Sequence, residues 1–195
     1  MNHPELLLAP VLMVADHLLT VAGARAREDG YSRHIHTEHY ELNPVWQKEI
    51  ARKRWFNPRH CVLVAAAAVA FYFIGEALPR GDDPAASFTA GMLLGAFGAI
   101  NGRHLANLAT FRYLRAHPDR AIVGTVTFSH EYVLRASLYQ LFGVLSPIAL
   151  LWLCRPEPML AGAVAGIVLL MLLHLAWIAR WRRRAASTTP SRTSR

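Results

Sequence analysis

The chain has 195 residues, 53% of them apolar, and carries 21 Lys and Arg against 13 Asp and Glu for a formal charge of +8. That apolar share is only slightly above the soluble average, and the basic balance taken alone would admit nucleic acid as a partner, so the arrangement along the chain has to decide both questions. Two cysteines, Cys61 and Cys154, exclude a disulfide framework and a cysteine-based metal cluster.

Five apolar stretches cover 6–24, 60–78, 88–111, 132–153 and 159–179. Each has the length a helix needs to cross roughly 30 Å of hydrocarbon at ~1.5 Å per residue. They predict an all-α fold, a polytopic membrane protein with five transmembrane helices in one domain spanning 1–184. In the first span, Ala22-Gly23-Ala24 has the form of a signal-peptide cleavage site. However, 1–5 lack a basic residue and Asp16 interrupts the apolar core, so the span is expected to be retained.

The connection 25–59 is too long for a plain turn. Asn43 as cap and Pro44 at the first helical position predict a short interfacial helix over about 44–56, with Trp46 and Trp55 at headgroup depth. Asn57-Pro58 is expected to end it. The polar segment 185–195 is expected to be a disordered cytoplasmic tail.

Threading the spans puts every Lys and Arg except Arg80 and Arg155 on one side. The positive-inside bias then predicts a plasma (inner) membrane protein with its N-terminus outside and its C-terminus in the cytoplasm. The basic residues flank spans and form no patch on a folded domain. Anionic lipid on the cytoplasmic face accounts for them, and nucleic acid is set aside. Cys61 and Cys154 fall at opposite ends of their spans, too far apart to bond.

Gly91, Gly95, Gly98 and Gly102 form a stripe along the third span, and Gly162 and Gly166 repeat the spacing in the fifth. Small residues so placed let helices approach closely, either these two spans or those of a second copy or another membrane partner. The opposite side of the third span carries Arg103, His104 and Asn107, and the first span carries Asp16, His17 and Thr20. An arginine facing lipid costs about 2.5–3.5 kcal/mol on the insertion scale. An Asp16–Arg103 pair, with His17 or His104 beside it, is therefore expected in the bundle interior. Gln140 and His174 lie in the same halves of their own spans, and Arg135 lies near the interface.

A second cluster, His34, His36, Glu38, His39 and Glu41, packs potential ligands for a divalent metal such as zinc into one loop. It matches no established ligand spacing, and the chain contains no nucleophile elbow, phosphate-cradling glycine loop or zincin motif.

Asp16 and Thr20 in the first span, followed by Glu41-Leu42-Asn43-Pro44, resemble small uncharacterised bacterial integral membrane proteins. Those proteins pair an intramembrane Asp/Thr with a downstream Glu-x-Asn-Pro. The resemblance implies a membrane address and points to Asp16, Glu41 and Asn43.

Three functions are compatible with these residues. A non-catalytic accessory or scaffold protein is favoured, because the glycine faces offer packing surfaces and no catalytic motif is present. A small transporter or channel component would use an Asp16/Arg103/His104 cavity. A metal-dependent membrane enzyme would need the 34–41 cluster to hold its metal.

Overall fold

Two of the long helices start with a capping residue followed by proline. Asn57 accepts from the amides of Arg59 (3.1 Å) and His60 (3.4 Å), with Pro58 next in line. Asp83 accepts from those of Ala85 (2.8 Å) and Ala86 (2.9 Å), with Pro84 following. In both places the side chain satisfies amides that have no partner within the helix. The computed structural model describes residues 2–28, 35–36, 43, 45–81, 83–117, 121 and 124–188. After a 3-10 turn, Pro4–Leu7, come α1 (Leu8–Glu28), β1 (Ile35–His36), α2 (Gln47–Ala51), α3 (Pro58–Ala77), α4 (Pro84–Ala116), β2 (Val126–Thr127), α5 (His130–Cys154) and α6 (Pro158–Thr188). Five of these helical segments are long and apolar enough to cross a membrane, so the protein is a multi-pass, all-α membrane protein.

The expected boundaries shift in three places. The interfacial helix shrinks to the five residues of α2, because Lys53 takes a left-handed conformation (φ 51°) and turns the chain away. Asn57-Pro58 opens α3 and does not close the preceding helix. At the other end, α6 continues through Thr188, beyond the expected boundary at 184, while 189–195 lie outside the described residues. An unexpected short parallel pairing joins Ile35 and His36 to Val126 and Thr127, tying the α1–α2 and α4–α5 connections together.

The long helices are ordered α3, α1, α4, α6, α5 by contact. At the centre, Gly91 lies against the backbone of Met159, Gly95 against Ala163, Gly162 against Phe88 and Gly166 against Met92. A Cβ on Gly95 would sit 2.6 Å from the Ala163 Cα. The glycine faces thus join α4 to α6 within one chain. Gly98 and Gly102 take no part, since a Cβ on either would meet nothing within 4 Å. Beyond the crossing, Ala99, Leu141 and Ile167 form a buried cluster that brings α5 onto α4 and α6. Helix α3 packs on α1 and the N-terminal turn, and of its residues only Gly75 is buried.

At the end away from the arginine clusters, the N-terminus is clasped to the α3–α4 connection. Asn2 N–H donates to Glu76 Oε1 (3.2 Å), and Arg80 Nε donates to Asn2 Oδ1 (3.1 Å). The buried His3 ring has Nε2 2.7 Å from the Pro79 carbonyl and Nδ1 3.0 Å from Glu5 Oε1. Both partners are acceptors, so the doubly protonated ring suits the site. The Pro79 carbonyl first, and the Glu5 carboxylate second, hold the His3 pKa above its ordinary value of 6.5.

Two outcomes are expected from melting in detergent. Gly162→Ala should separate α4 from α6 and lower the melting temperature by roughly 3–10 °C, as overpacking does, whereas Gly98→Ala should leave it unchanged. Because folding raises the His3 pKa, its contribution is complete below the ordinary value and is lost as pH rises through the raised one. The wild-type melting temperature should therefore contain a component that falls with rising pH across that window, and His3→Gln should remove it.

Candidate functional site

On α1 the spacing i, i+1, i+4 turns Asp16, His17 and Thr20 toward the neighbouring helices. Helix α4 presents Arg103 and His104, α3 presents His60, and α6 presents His174. These residues line one cavity of about 270 Å³ toward the arginine-rich end of the bundle. Trp46 and Ile50, from the α2 segment, and Trp177 also line it, while Met13, Phe97, Ile100 and Leu170 supply apolar wall.

Two polar groups in this region are built differently. In the first, Arg103 Nη1 donates to Ser137 Oγ of α5, and Ser137 Oγ lies 2.9 Å from His174 Nε2. His174 Nδ1 lies 2.9 Å from the Leu170 carbonyl, which can only accept. The proton therefore resides on Nδ1, and Nε2 accepts from Ser137. Arg103, Ser137 and His174 thus form a relay across α4, α5 and α6 in which each successive donor meets an acceptor.

In the second, His104 Nε2 lies 3.1 Å from Asp16 Oδ1 and 3.2 Å from Thr20 Oγ1. The hydrogen bond is the one to Thr20. The carboxylate is close enough for an ion pair, but its approach lacks hydrogen-bond geometry, and Asp16 Oδ1 has no hydrogen-bond partner among the described residues. His104, only 8% exposed, likewise leaves Nδ1 without one. Beside them His17 and His60 stack with centroids 4.5 Å apart, and His17 Nε2 lies 3.3 Å from the Trp55 carbonyl. His60 Nε2 is also buried without a partner among the described residues.

The segment around α2 roofs this end. Arg25 donates to the Lys53 carbonyl from Nε (3.2 Å) and Nη2 (2.7 Å) and lies over the Trp55 ring, while Lys53 pairs with Glu28. Asn43 accepts from Val45 N–H at 3.0 Å, which starts the turn into α2.

The expected Asp16–Arg103 pair is corrected. Residues 103 and 104 differ by about 100° around the α4 axis. That rotation aims His104 at α1 and Arg103 at α5 and α6, so Asp16 finds the imidazole. Asn107 is half-buried and stands outside the cavity lining. His17 and Thr20 line the cavity. His60, Ser137 and Trp177 are cavity or relay residues that the sequence did not single out, and Trp46, expected at headgroup depth, lines the cavity instead. His60 carried a signal, being a titratable group at a span boundary, but its stacking on His17 comes from tertiary packing and leaves no periodicity to read. Gln140 is exposed, and Arg135 pairs with Glu131 at 2.9 Å.

Of the loop cluster, His34, Glu38, His39 and Glu41 lie outside the described residues, and His36 is exposed in β1. Among the described residues, no three His, Cys, Asp or Glu side chains are grouped so as to hold a metal ion. No family model, curated protein or solved structure matches the chain.

A double-mutant cycle distinguishes the two pairings. Asp16→Asn and His104→Gln should couple by about 0.5–3 kcal/mol in detergent unfolding, whereas Asp16→Asn and Arg103→Gln should add within about 0.5 kcal/mol. The reverse pattern would restore the Asp16–Arg103 pair.

Proposed function

We propose that this protein is a small membrane transport or channel component. Its cavity takes a small hydrogen-bond-donating solute, of the ammonium or protonated-amine class, from the cytoplasmic side. One observation carries the reading. Three of the four buried side-chain polar atoms lacking a hydrogen-bond partner among the described residues, Asp16 Oδ1, His60 Nε2 and His104 Nδ1, belong to residues lining this one cavity. Each such atom costs about 1–3 kcal/mol when left unmet. A purely structural cluster would be closed like the adjoining Arg103–Ser137–His174 relay.

The chemistry of the atoms indicates a donor. An ionised carboxylate accepts only, and the neutral His104 tautomer that donates from Nε2 to Thr20 leaves Nδ1 as an acceptor. Phe97 and Trp177 add aromatic wall to the lining, while the Trp46 ring is covered by the Arg59 guanidinium at 4.9 Å. The arginine clusters at this end support a cytoplasmic orientation by the positive-inside bias. The scaffold reading loses its main support, because Gly91, Gly95, Gly162 and Gly166 are already engaged between α4 and α6. The metal-enzyme reading rests on residues of which only His36 is described.

The purified protein, reconstituted into liposomes, should take up radiolabelled methylammonium faster than protein-free liposomes. Asp16→Asn should reduce uptake to background while the protein stays inserted, and Arg80→Gln, at the opposite end, should retain it. Wild-type uptake at background would end this reading.

A further inference from the structure

A second site lies on the other flank of the bundle, between α5 and α6. Glu131, in the first turn of α5, receives two guanidinium groups on a single carboxylate oxygen. Arg135 Nε donates to Oε1 at 2.9 Å, and Arg182 donates to the same atom from Nε at 3.0 Å and Nη2 at 2.5 Å. Two cations on one carboxylate leave one positive charge uncompensated. Both arginines stand at the rim of a groove of about 410 Å³, whose remaining lining is Leu138, Leu175, Ile178 and Ala179. The groove therefore combines a charged end with an apolar floor, where the helices emerge from the apolar part of the bundle. Trp181, whose ring lies 6.2 Å from that of His130, marks the same level.

We propose that this groove binds one anionic phospholipid of the phosphatidylglycerol class. The phosphodiester would sit against Arg135 and Arg182, and an acyl chain would lie along Leu138, Leu175 and Ile178. Guanidinium groups offer paired N–H donors matched to phosphate oxygens, and their single excess charge matches the single charge of the diester. A zwitterionic lipid carries the same phosphate but would bring its ammonium group toward the arginines. Free phosphate would leave the apolar floor uncovered. The site shares no lining residue with the Asp16–His104 cavity and does not depend on its function.

The test uses the full-length protein in detergent, with phosphatidylglycerol, phosphatidylcholine or inorganic phosphate added, read by melting temperature and by lipid retained in native mass spectrometry. Phosphatidylglycerol should raise the melting temperature by about 5 °C more than phosphatidylcholine and leave one lipid bound, with no shift from inorganic phosphate. Arg135→Gln/Arg182→Gln should abolish the difference, and Arg180→Gln/Arg183→Gln, which removes as much charge from the neighbouring surface, should keep it. Leu175→Trp, which fills the groove while leaving both arginines in place, should also lose the retained lipid. Equal responses to the two lipids in the wild type would overturn the proposal. So would equal loss from the two arginine pairs, or a full response to inorganic phosphate.

Discussion

Where α4 crosses α6, Gly91 and Gly95 on one helix and Gly162 and Gly166 on the other bring backbone against backbone. In lipid no hydrophobic driving force pulls helices together, since the hydrocarbon around them is as apolar as leucine. Short-range dispersion between closely approaching backbones takes its place. The remaining helices are arranged about this contact. Helix α5 joins through the cluster of Ala99, Leu141 and Ile167, and α1 packs on α4. The cavity is the space that α1, α3, α4 and α6 leave between them toward the arginine-rich end.

Within that frame, neighbouring polar residues meet the same low dielectric in opposite ways. Arg103 is held by Ser137 and His174, whose own protons have acceptors, so the group fixes three helices relative to one another. Asp16 and His104 meet each other, and with His60 they keep polar atoms that have no hydrogen-bond partner among the described residues. A charge-bearing network stabilises in the interior only when its members are satisfied. A closed network and an open one thus stand side by side, a contrast that residue type alone does not reveal.

Much of the fold could be read from the sequence, because membrane spans depend on length and apolarity alone. All five spans lie close to their expected positions. The glycine periodicity also carried real information, yet only Gly91 and Gly95 of the four in α4 meet the α6 backbone, and beyond them Ala99 carries the contact with Ile167 while Gly98 faces open space. The site was legible in its members more than in its pairings. Asp16, Thr20 and His104 could be named from helical spacing, but grouping Arg103 with His104 hid the rotation that sends them to different neighbours. His60 could not be found that way, since its partner His17 is joined to it only through the packing of α3 on α1. Asn57-Pro58 reads equally well as a stop or a start; in the folded chain the asparagine caps α3.

Helix α3 is attached differently from the rest. Its C-terminal end is held through Glu76 and the adjoining Pro79 and Arg80, its N-terminal end by the stacking of His60 on His17, and its middle is largely exposed on the flank of the bundle. A change in its tilt exchanges one set of hydrocarbon contacts for another and leaves the α4–α6 crossing untouched. The wall that carries His60 is therefore the most compliant side of the cavity. Of the four helices around the cavity, α3 has the least protein against it, and the wall it forms is held chiefly at its two ends.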